Sequence, residues 1–102
     1  MNTLVEVISP VALNVEVTDD NLRVELSDGR SVTVPLSWYP RLSRALPQHR
    51  RDWRLQGGGH GIHWPFLDED ISVENILFGK PSGESSRSFA KWQEWYRRET
   101  SR

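Results

Sequence analysis

The stretch LNVEVTDDNLRVELSDGRSVTVPL, residues 13–36, carries the pattern that decides the fold. Apolar and polar residues alternate through it in three runs, which is the period of a half-buried β-strand. The runs are joined by residues 19–21 and by a turn containing Asp28-Gly29, a pair that favours a tight hairpin. The sequence therefore predicts a three-stranded antiparallel meander with one apolar face. That face is predicted to contain Leu13, Val15, Val17, Leu22, Val24, Leu26, Val32, Val34 and Leu36.

The residues that flank the meander predict further short elements. Before it, residues 4–8 indicate an additional edge segment that Pro10 ends, because proline cannot donate to a β-ladder. After it, apolar residues recur at spacings of three and four from Trp38 to Leu46, which predicts a short helix covering the sheet. Pro47 interrupts that helix, and one more polar turn follows.

The second half of the chain predicts two short strands and a short helix. One strand is expected at Trp53 and Leu55, and a return strand at Ile62 and Trp64. Residues 68–70 are then interpreted as a turn with helix-capping acids, leading through Ser72 into a helix that Gly79 ends.

The last predicted element, roughly residues 86–100, is an amphipathic helix. At 100° per residue its four aromatic side chains fall within an arc of about 120°. These are Phe89, Trp92, Trp95 and Tyr96. Such a stripe packs against the core of its own chain or docks into a groove of a partner, and both roles stay open. The predicted fold is α+β, with a compact part at residues 1–79, a linker at 80–86 and the C-terminal helix at 87–102 of the same single domain.

Composition narrows the function classes. The 102 residues contain no cysteine, which excludes disulfides and thiolate chemistry, and no apolar run is long enough to cross a bilayer. We therefore expect a cytoplasmic protein without a membrane partner. The formal net charge of −1 does not favour binding to a polyanion through the field of the whole molecule.

Three local clusters could still carry chemistry. A metal-binding or hydrolytic centre would use His60, His63, Asp68, Glu69 and Asp70. A His-x-x-His pair on a strand points its imidazoles to opposite faces, however, so we expect neither a metal site nor a cofactor. The GGGHG run at 57–61 matches no phosphate-binding motif, and a tight loop that needs positive φ explains it more simply. No serine stands in a nucleophile motif, so the sequence supports no named enzymatic activity.

The third cluster is a basic strip interleaved with aromatic residues. It consists of Arg41, Arg44, His49, Arg50, Arg51 and Arg54, with Trp38, Tyr39 and Trp53 between them. This combination could contact phosphates and stack on bases, so a nucleic-acid-binding regulator is an alternative function. The competing interpretation is a solvated helix face paired with nearby carboxylates.

Four motifs together resemble a known bacterial family. They are Asp28-Gly29-Arg30, Pro35 with Trp38-Tyr39-Pro40-Arg41-Leu42, Gly61-Ile62-His63-Trp64-Pro65 and Leu67-Asp68-Glu69-Asp70-Ile71. Over residues 11–79 the chain is similar to the family named domain of unknown function 2442. The resemblance implies a compact α+β domain, alone or joined to a helix-turn-helix domain. It also implies a second short protein encoded nearby, in a toxin-antitoxin type of pair, and no enzymatic activity.

The function predicted from these observations is a non-enzymatic protein-interaction module. It would be the antitoxin-like or regulatory partner of a companion protein, and the partner is a companion gene product or a second copy of the chain. Tryptophan, tyrosine and arginine dominate many interfaces, and five tryptophans are many for a small core. The predicted partner-binding residues are Trp38, Tyr39, Arg41, Trp53, His63, Trp64, Phe89, Trp92, Trp95 and Tyr96.

Overall fold

Two three-stranded antiparallel sheets and four helices form the protein in the computed structural model, which describes residues 9–101. The first sheet contains β1 (Ala12–Val17), β2 (Asn21–Leu26) and β3 (Ser31–Pro35) in chain order. The second contains β4 (Arg54–Gln56), β5 (Gly61–Trp64) and β6 (Glu69–Ser72). The helices are α1 (Pro40–Arg44), α2 (Pro47–Arg50), α3 (Val73–Leu77) and α4 (Ser86–Thr100). The predicted α+β class and the meander are confirmed, while the proposed edge segment at 4–8 lies outside the described residues.

The meander has the predicted hairpins but differs at its first strand. A β-bulge between Ala12 and Asn14 shifts the register of β1 against β2. The extra residue turns Leu13 outward, where 61% of its surface is exposed, and brings Ala12 into the core instead. The prediction that Leu13 lies on the apolar face was therefore wrong, because a bulge resets the two-residue period.

The helical region after β3 is divided into shorter pieces than predicted. Residues 36–38 form a 3₁₀ turn, and the single expected helix is replaced by α1 and α2. Each of these begins at a proline, whose fixed φ suits the first helical position. A proline also drives the preceding residue into extended backbone, and Leu46 before Pro47 has ψ 150°. The chain therefore bends sharply between two short helices.

The second sheet contains a strand that the sequence did not indicate. Residues 68–70 were predicted to form a turn with helix-capping acids, but residues 69–72 pair with β5 as strand β6, with Ile62 opposite Ile71. The turn ends at Asp68, whose φ is +53°. The acids were misleading because charged residues are common on an edge strand, where Asp70 is exposed and Glu69 is partly buried. The predicted capping by these acids was wrong, because Ser72 is the N-cap of α3 and accepts a hydrogen bond from the Asn75 amide.

The triple glycine connects β4 to β5 and packs against β1 of the first sheet. Gly57, Gly58 and Gly59 all have positive φ, so the prediction of a tight loop is confirmed. Gly59 is also required by lack of space, because a Cβ at this position would lie 2.7 Å from the carbonyl oxygen of Ala12 on β1. Only glycine lets this loop approach the first sheet so closely.

A buried arginine connects the helices to both sheets. Arg50 is 9% exposed and donates from Nε to the Leu42 carbonyl at 2.9 Å and from Nη2 to the Ser43 carbonyl at 3.0 Å. Both acceptors lie near the end of α1, and the Leu42 carbonyl also accepts from the Ala45 amide at 3.2 Å. Its Nη1 reaches Asp19 in the β1–β2 turn, and its own carbonyl accepts from Trp64 Nε1 on β5.

Helix α4 covers the core with its aromatic stripe. Trp92 and Tyr96 are buried, while Phe89 and Trp95 are partly buried against the same cluster. Trp92 Nε1 donates to the Leu67 carbonyl at 2.8 Å, which fixes the helix over the β5–β6 turn. The stripe therefore faces its own chain, the first of the two roles left open. No helix within residues 9–101 has the length and apolar character needed to cross a membrane.

Replacing Arg50 with methionine keeps the aliphatic stem but removes the hydrogen bonds of the guanidinium to the Leu42 and Ser43 carbonyls and to Asp19. We expect Arg50→Met to lower the free energy of unfolding by about 2–4 kcal/mol, measured by urea denaturation. The matched control is Arg51→Met, because Arg51 is the exposed neighbour. Equal losses in the two variants would contradict the linking role of Arg50.

A second comparison tests the close approach of the glycine loop. Gly59→Ala should cost about 3 kcal/mol or more, because the backbone of β1 must move as well as the φ change. Gly58→Ala, with φ +66° and open space around it, should cost about 1 kcal/mol. Thermal unfolding of the two variants measures which one loses more stability. If Gly58→Ala lost as much stability as Gly59→Ala, the close contact of Gly59 with β1 would be unimportant.

Candidate functional site

A broad surface depression runs beside α4 and is called here the α4 groove. It is open and has a volume of about 590 Å³. Trp92 and Trp95 contribute aromatic surface to its lining. Its other lining residues are Arg41, Asp68, Ser85, Arg87, Ser88 and Lys91. An open groove that combines indole faces with charged groups can hold a segment of another chain.

An ion pair builds one wall of the groove. Arg41 on α1 donates from Nε to both carboxylate oxygens of Glu84, at 2.9 and 3.1 Å, and the side chains are only 15% and 10% exposed. The same guanidinium donates to the Asp68 carbonyl at 2.8 Å and lies 5.6 Å from the Trp92 ring centroid. The Arg41 hydrogen bond holds the pKa of Glu84 below its usual range. Most of the charge of Arg41 is therefore compensated.

Two of the cations on α4 are not compensated in the way that Arg41 is. Arg87 and Lys91 are exposed, stand four residues apart on one side of the helix and line the groove. Within residues 9–101 neither forms an ion pair with a carboxylate. Neither residue was among the predicted partner-binding residues, although their four-residue spacing places them on one side of the helix.

A second aromatic cluster continues from the groove toward α2. The rings of His49 and Phe66 stack at 4.1 Å, and Phe66 lies 5.6 Å from Trp95. The Tyr96 hydroxyl accepts from the Leu46 amide and lies 2.7 Å from Nδ1 of His49. Since that oxygen already accepts one hydrogen bond, its proton can be donated to Nδ1. Phe66 and Trp95 extend partly exposed aromatic surface beyond the groove.

The ten predicted partner-binding residues are divided between core and surface. Four are buried: Tyr39, Trp64, Trp92 and Tyr96. Six are partly exposed: Trp38, Arg41, Trp53, His63, Phe89 and Trp95. Of all ten, only Arg41, Trp92 and Trp95 line the α4 groove. The role of these ten residues in binding stays a prediction. A partner could reach the six that are partly exposed.

The candidate metal residues do not converge. Nδ1 of His63 lies 2.7 Å from Asp70 across β5 and β6, and Gln56 donates to the same Asp70 oxygen at 2.9 Å. Asp68 instead lies near Arg41, and His60 follows the glycine loop. Within residues 9–101, no group of three or more histidines, aspartates and glutamates is placed to hold a metal ion.

The basic strip is dispersed by the fold. Arg50 is buried, Arg41 is paired with Glu84, and Arg54 pairs with Asp52 at 2.7 Å. His49 stacks on Phe66, which leaves Arg44 and Arg51 as its exposed members without an ion pair in the described part of the chain. Two isolated arginines are a weak electrostatic footprint for a nucleic acid.

A smaller depression, the polar pocket, shares no lining residue with the α4 groove. It has a volume of about 130 Å³, and its lining includes Tyr39, Glu69, Asp70, Lys80 and Ser82. The pKa of Glu69 is raised to about 7, chiefly by burial and to a smaller extent by the carboxylates of Glu84 and Asp70, against the opposing effects of the Asp70 amide and Arg41. Burial likewise raises the pKa of the Tyr39 hydroxyl.

Comparison with known families agrees with this architecture. The family model described as "Protein of unknown function (DUF2442)" matches residues 12–82. The chain belongs to the DUF2442 family. The resemblance predicted over residues 11–79 is therefore confirmed, and Arg41 and both sheets lie within the matched region. Glu84 and the whole of α4, with Arg87 and Lys91, lie beyond it.

Two solved structures share the fold of this DUF2442 protein. A crystal structure of a protein of unknown function from Rhodospirillum rubrum has a TM-score of 0.66 at 23% identity, covering 76% of this chain and 95% of that one. A solution structure of an uncharacterised protein from Chromobacterium violaceum has a TM-score of 0.61 at 19% identity, covering 79% and 74%. At these identities the likeness is one of fold. No curated protein matches the chain.

Glu69 makes stability depend on pH. Its folded pKa of about 7 lies above the ordinary value of 4.5, so the folded state binds more protons than the unfolded state between these values. Stability should therefore fall as pH rises from about 4.5 to 7 and level off above. Glu69→Gln should match the wild type near pH 5 and exceed it at pH 8 by up to about 3 kcal/mol, measured by urea denaturation at each pH.

The control for this experiment is Glu16→Gln, which removes an exposed carboxylate from β1. It should leave the pH dependence unchanged. A Glu69→Gln variant that keeps the decline of the wild type between pH 5 and 8 would show that another group causes it.

Proposed function

We propose that this DUF2442 protein is a non-enzymatic interaction module whose α4 groove binds an acidic segment of a companion protein. The observation that carries this proposal is the placement of two uncompensated cations, Arg87 and Lys91, beside the indole surface of Trp92 and Trp95. Complementary charge selects and orients a partner, while an aromatic surface supplies burial. The matching ligand is a segment with carboxylates next to an aromatic or aliphatic side chain.

The rigidity of the groove supports binding. One wall is held by the Arg41–Glu84 pair, and Ser88 Oγ adds a hydrogen bond of 2.7 Å to the same Glu84 carboxylate. Trp92 cannot rotate freely, because its Nε1 is bonded to the Leu67 carbonyl. A preformed groove loses less conformational entropy when a partner is ordered on it.

The companion protein is the occupant that the family resemblance implies, as in a toxin-antitoxin type of pair. In this proposal the chain acts as the antitoxin-like or regulatory member and works in the cytoplasm by burying surface of its partner. A nucleic-acid-binding role receives less support, because the fold separates the basic strip. A hydrolytic or metal-binding role receives less support as well, because the histidines and acids do not converge in the described residues.

Charge reversal in the groove tests the proposal without disturbing the core. Removing α4 altogether would also remove Trp92 and Tyr96 from the core, so it would not separate binding from folding. The double variant Arg87→Glu, Lys91→Glu should weaken capture of the adjacent gene's product by at least about tenfold, measured by co-purification and titration calorimetry.

Arg97→Glu is the matched control. Arg97 is exposed on the same helix but does not line the groove, so this variant should bind with wild-type affinity. If Arg97→Glu weakened binding as much as the double variant, the loss of affinity would come from the overall charge of the helix and not from the α4 groove. Full capture by the double variant would exclude the α4 groove as the docking site.

A further inference from the structure

The polar pocket contains an unsatisfied hydroxyl. Tyr39 is 3% exposed and lines the pocket, yet its Oη is the one buried side-chain polar atom in residues 9–101 that has no hydrogen-bond partner. Leaving a buried hydroxyl unpaired is costly, and such groups are uncommon in folded proteins. The carboxylate of Glu69 is close enough to raise the pKa of this hydroxyl but is not bonded to it. The phenolic oxygen therefore keeps an unused acceptor position near the carboxylate.

The surroundings of the pocket favour a cation. Glu69 and Asp70 line it, and an adjoining open depression shares both acids and adds Asp68 and Glu84. The cations that face this region are Arg41, which is bound to Glu84, and Lys80, which lines the pocket without an ion pair in the described part of the chain. Four carboxylates against two cations give a negative site, in which Glu69 and Glu84 are partly buried while Asp68 and Asp70 are exposed.

We propose that the polar pocket binds the primary ammonium group of a small alkylamine, held between Tyr39 and Glu69. An ammonium carries three N–H donors, which match the phenolic oxygen, a carboxylate oxygen of Glu69 and a third oxygen in the lining, such as that of Ser82. A metal ion fits less well, because the described residues provide no convergent set of three ligands. The volume of about 130 Å³ equals roughly four water molecules and so admits a short alkyl chain.

This site is separate from the α4 groove and does not depend on the proposed interaction. The two depressions share no lining residue, and Trp95 and Lys91 of the groove do not line the pocket. Binding should increase as pH rises through about 7, because the carboxylate of Glu69 must ionise to hold the ammonium. The other groups that face Glu69 are Asp68, Asp70, Glu84, Arg41, Lys80 and Tyr39.

The probe for the test is n-propylammonium chloride, titrated into the full chain and followed through the backbone amide signals of Asp70 and Ser72 by NMR. We expect saturable binding at millimolar concentration at pH 8, weakened about tenfold or more at pH 5. Two comparison compounds separate the parts of the ligand: n-propanol lacks the charge, and tetramethylammonium lacks the N–H donors. Equal binding of either compound, or no saturable binding of n-propylammonium at pH 8, would overturn the proposal.

Two variants assign the contacts. Tyr39→Phe removes only the hydroxyl and should weaken binding about tenfold, the range for one hydrogen bond to a charged group. Glu69→Gln should abolish it, and Asp68→Asn, which changes an exposed acid nearby, should alter it less than about twofold. Melting curves check that each variant is folded. If Tyr39→Phe fails to fold, Glu69→Gln still tests the proposal. Wild-type affinity in a folded Tyr39→Phe or Glu69→Gln variant would refute the assignment.

Discussion

The guanidinium of Arg50 is the interaction on which the arrangement of the layers depends. It donates to the carbonyls near the end of α1 and pairs with Asp19 in the β1–β2 turn, and the carbonyl of the same residue accepts from Trp64 of β5. One side chain and its own peptide group thereby connect the first sheet, the helices and the second sheet. Because short helices of four or five residues cannot be stable alone, such tertiary links decide where they lie.

Arg41 performs a related task at the other end of α1. It binds the carbonyl of Asp68, the residue with a positive φ in the β5–β6 turn, and pairs with Glu84 in the segment that leads to α4. The turn is held from the other side by Trp92 of α4, which donates to the Leu67 carbonyl. The same contacts that position α4 therefore shape the α4 groove on one side and the polar pocket on the other.

The charged groups of the two candidate sites differ from the structural arginines in whether a partner within the chain compensates their charge. Arg41 and Arg50 are satisfied by partners within the chain, so their removal is a matter of stability. Arg87 and Lys91 remain open to solvent beside aromatic surface, and Glu69 is withdrawn from water next to an unpaired hydroxyl. These uncompensated groups are where binding of another molecule can add stability that the free protein lacks.

Local periodicity and turn chemistry were enough to predict the meander, the Asp28-Gly29 hairpin and the amphipathic α4. The bulge that exposes Leu13, strand β6, and the partners of Arg41 and Arg50 depend on tertiary contacts. Those partners stand 43 and 31 residues away in the chain, a separation that no local pattern encodes. The basic strip looked continuous in sequence, yet folding buried or paired half of its members, since a guanidinium leaves water only where distant carbonyls and carboxylates replace it.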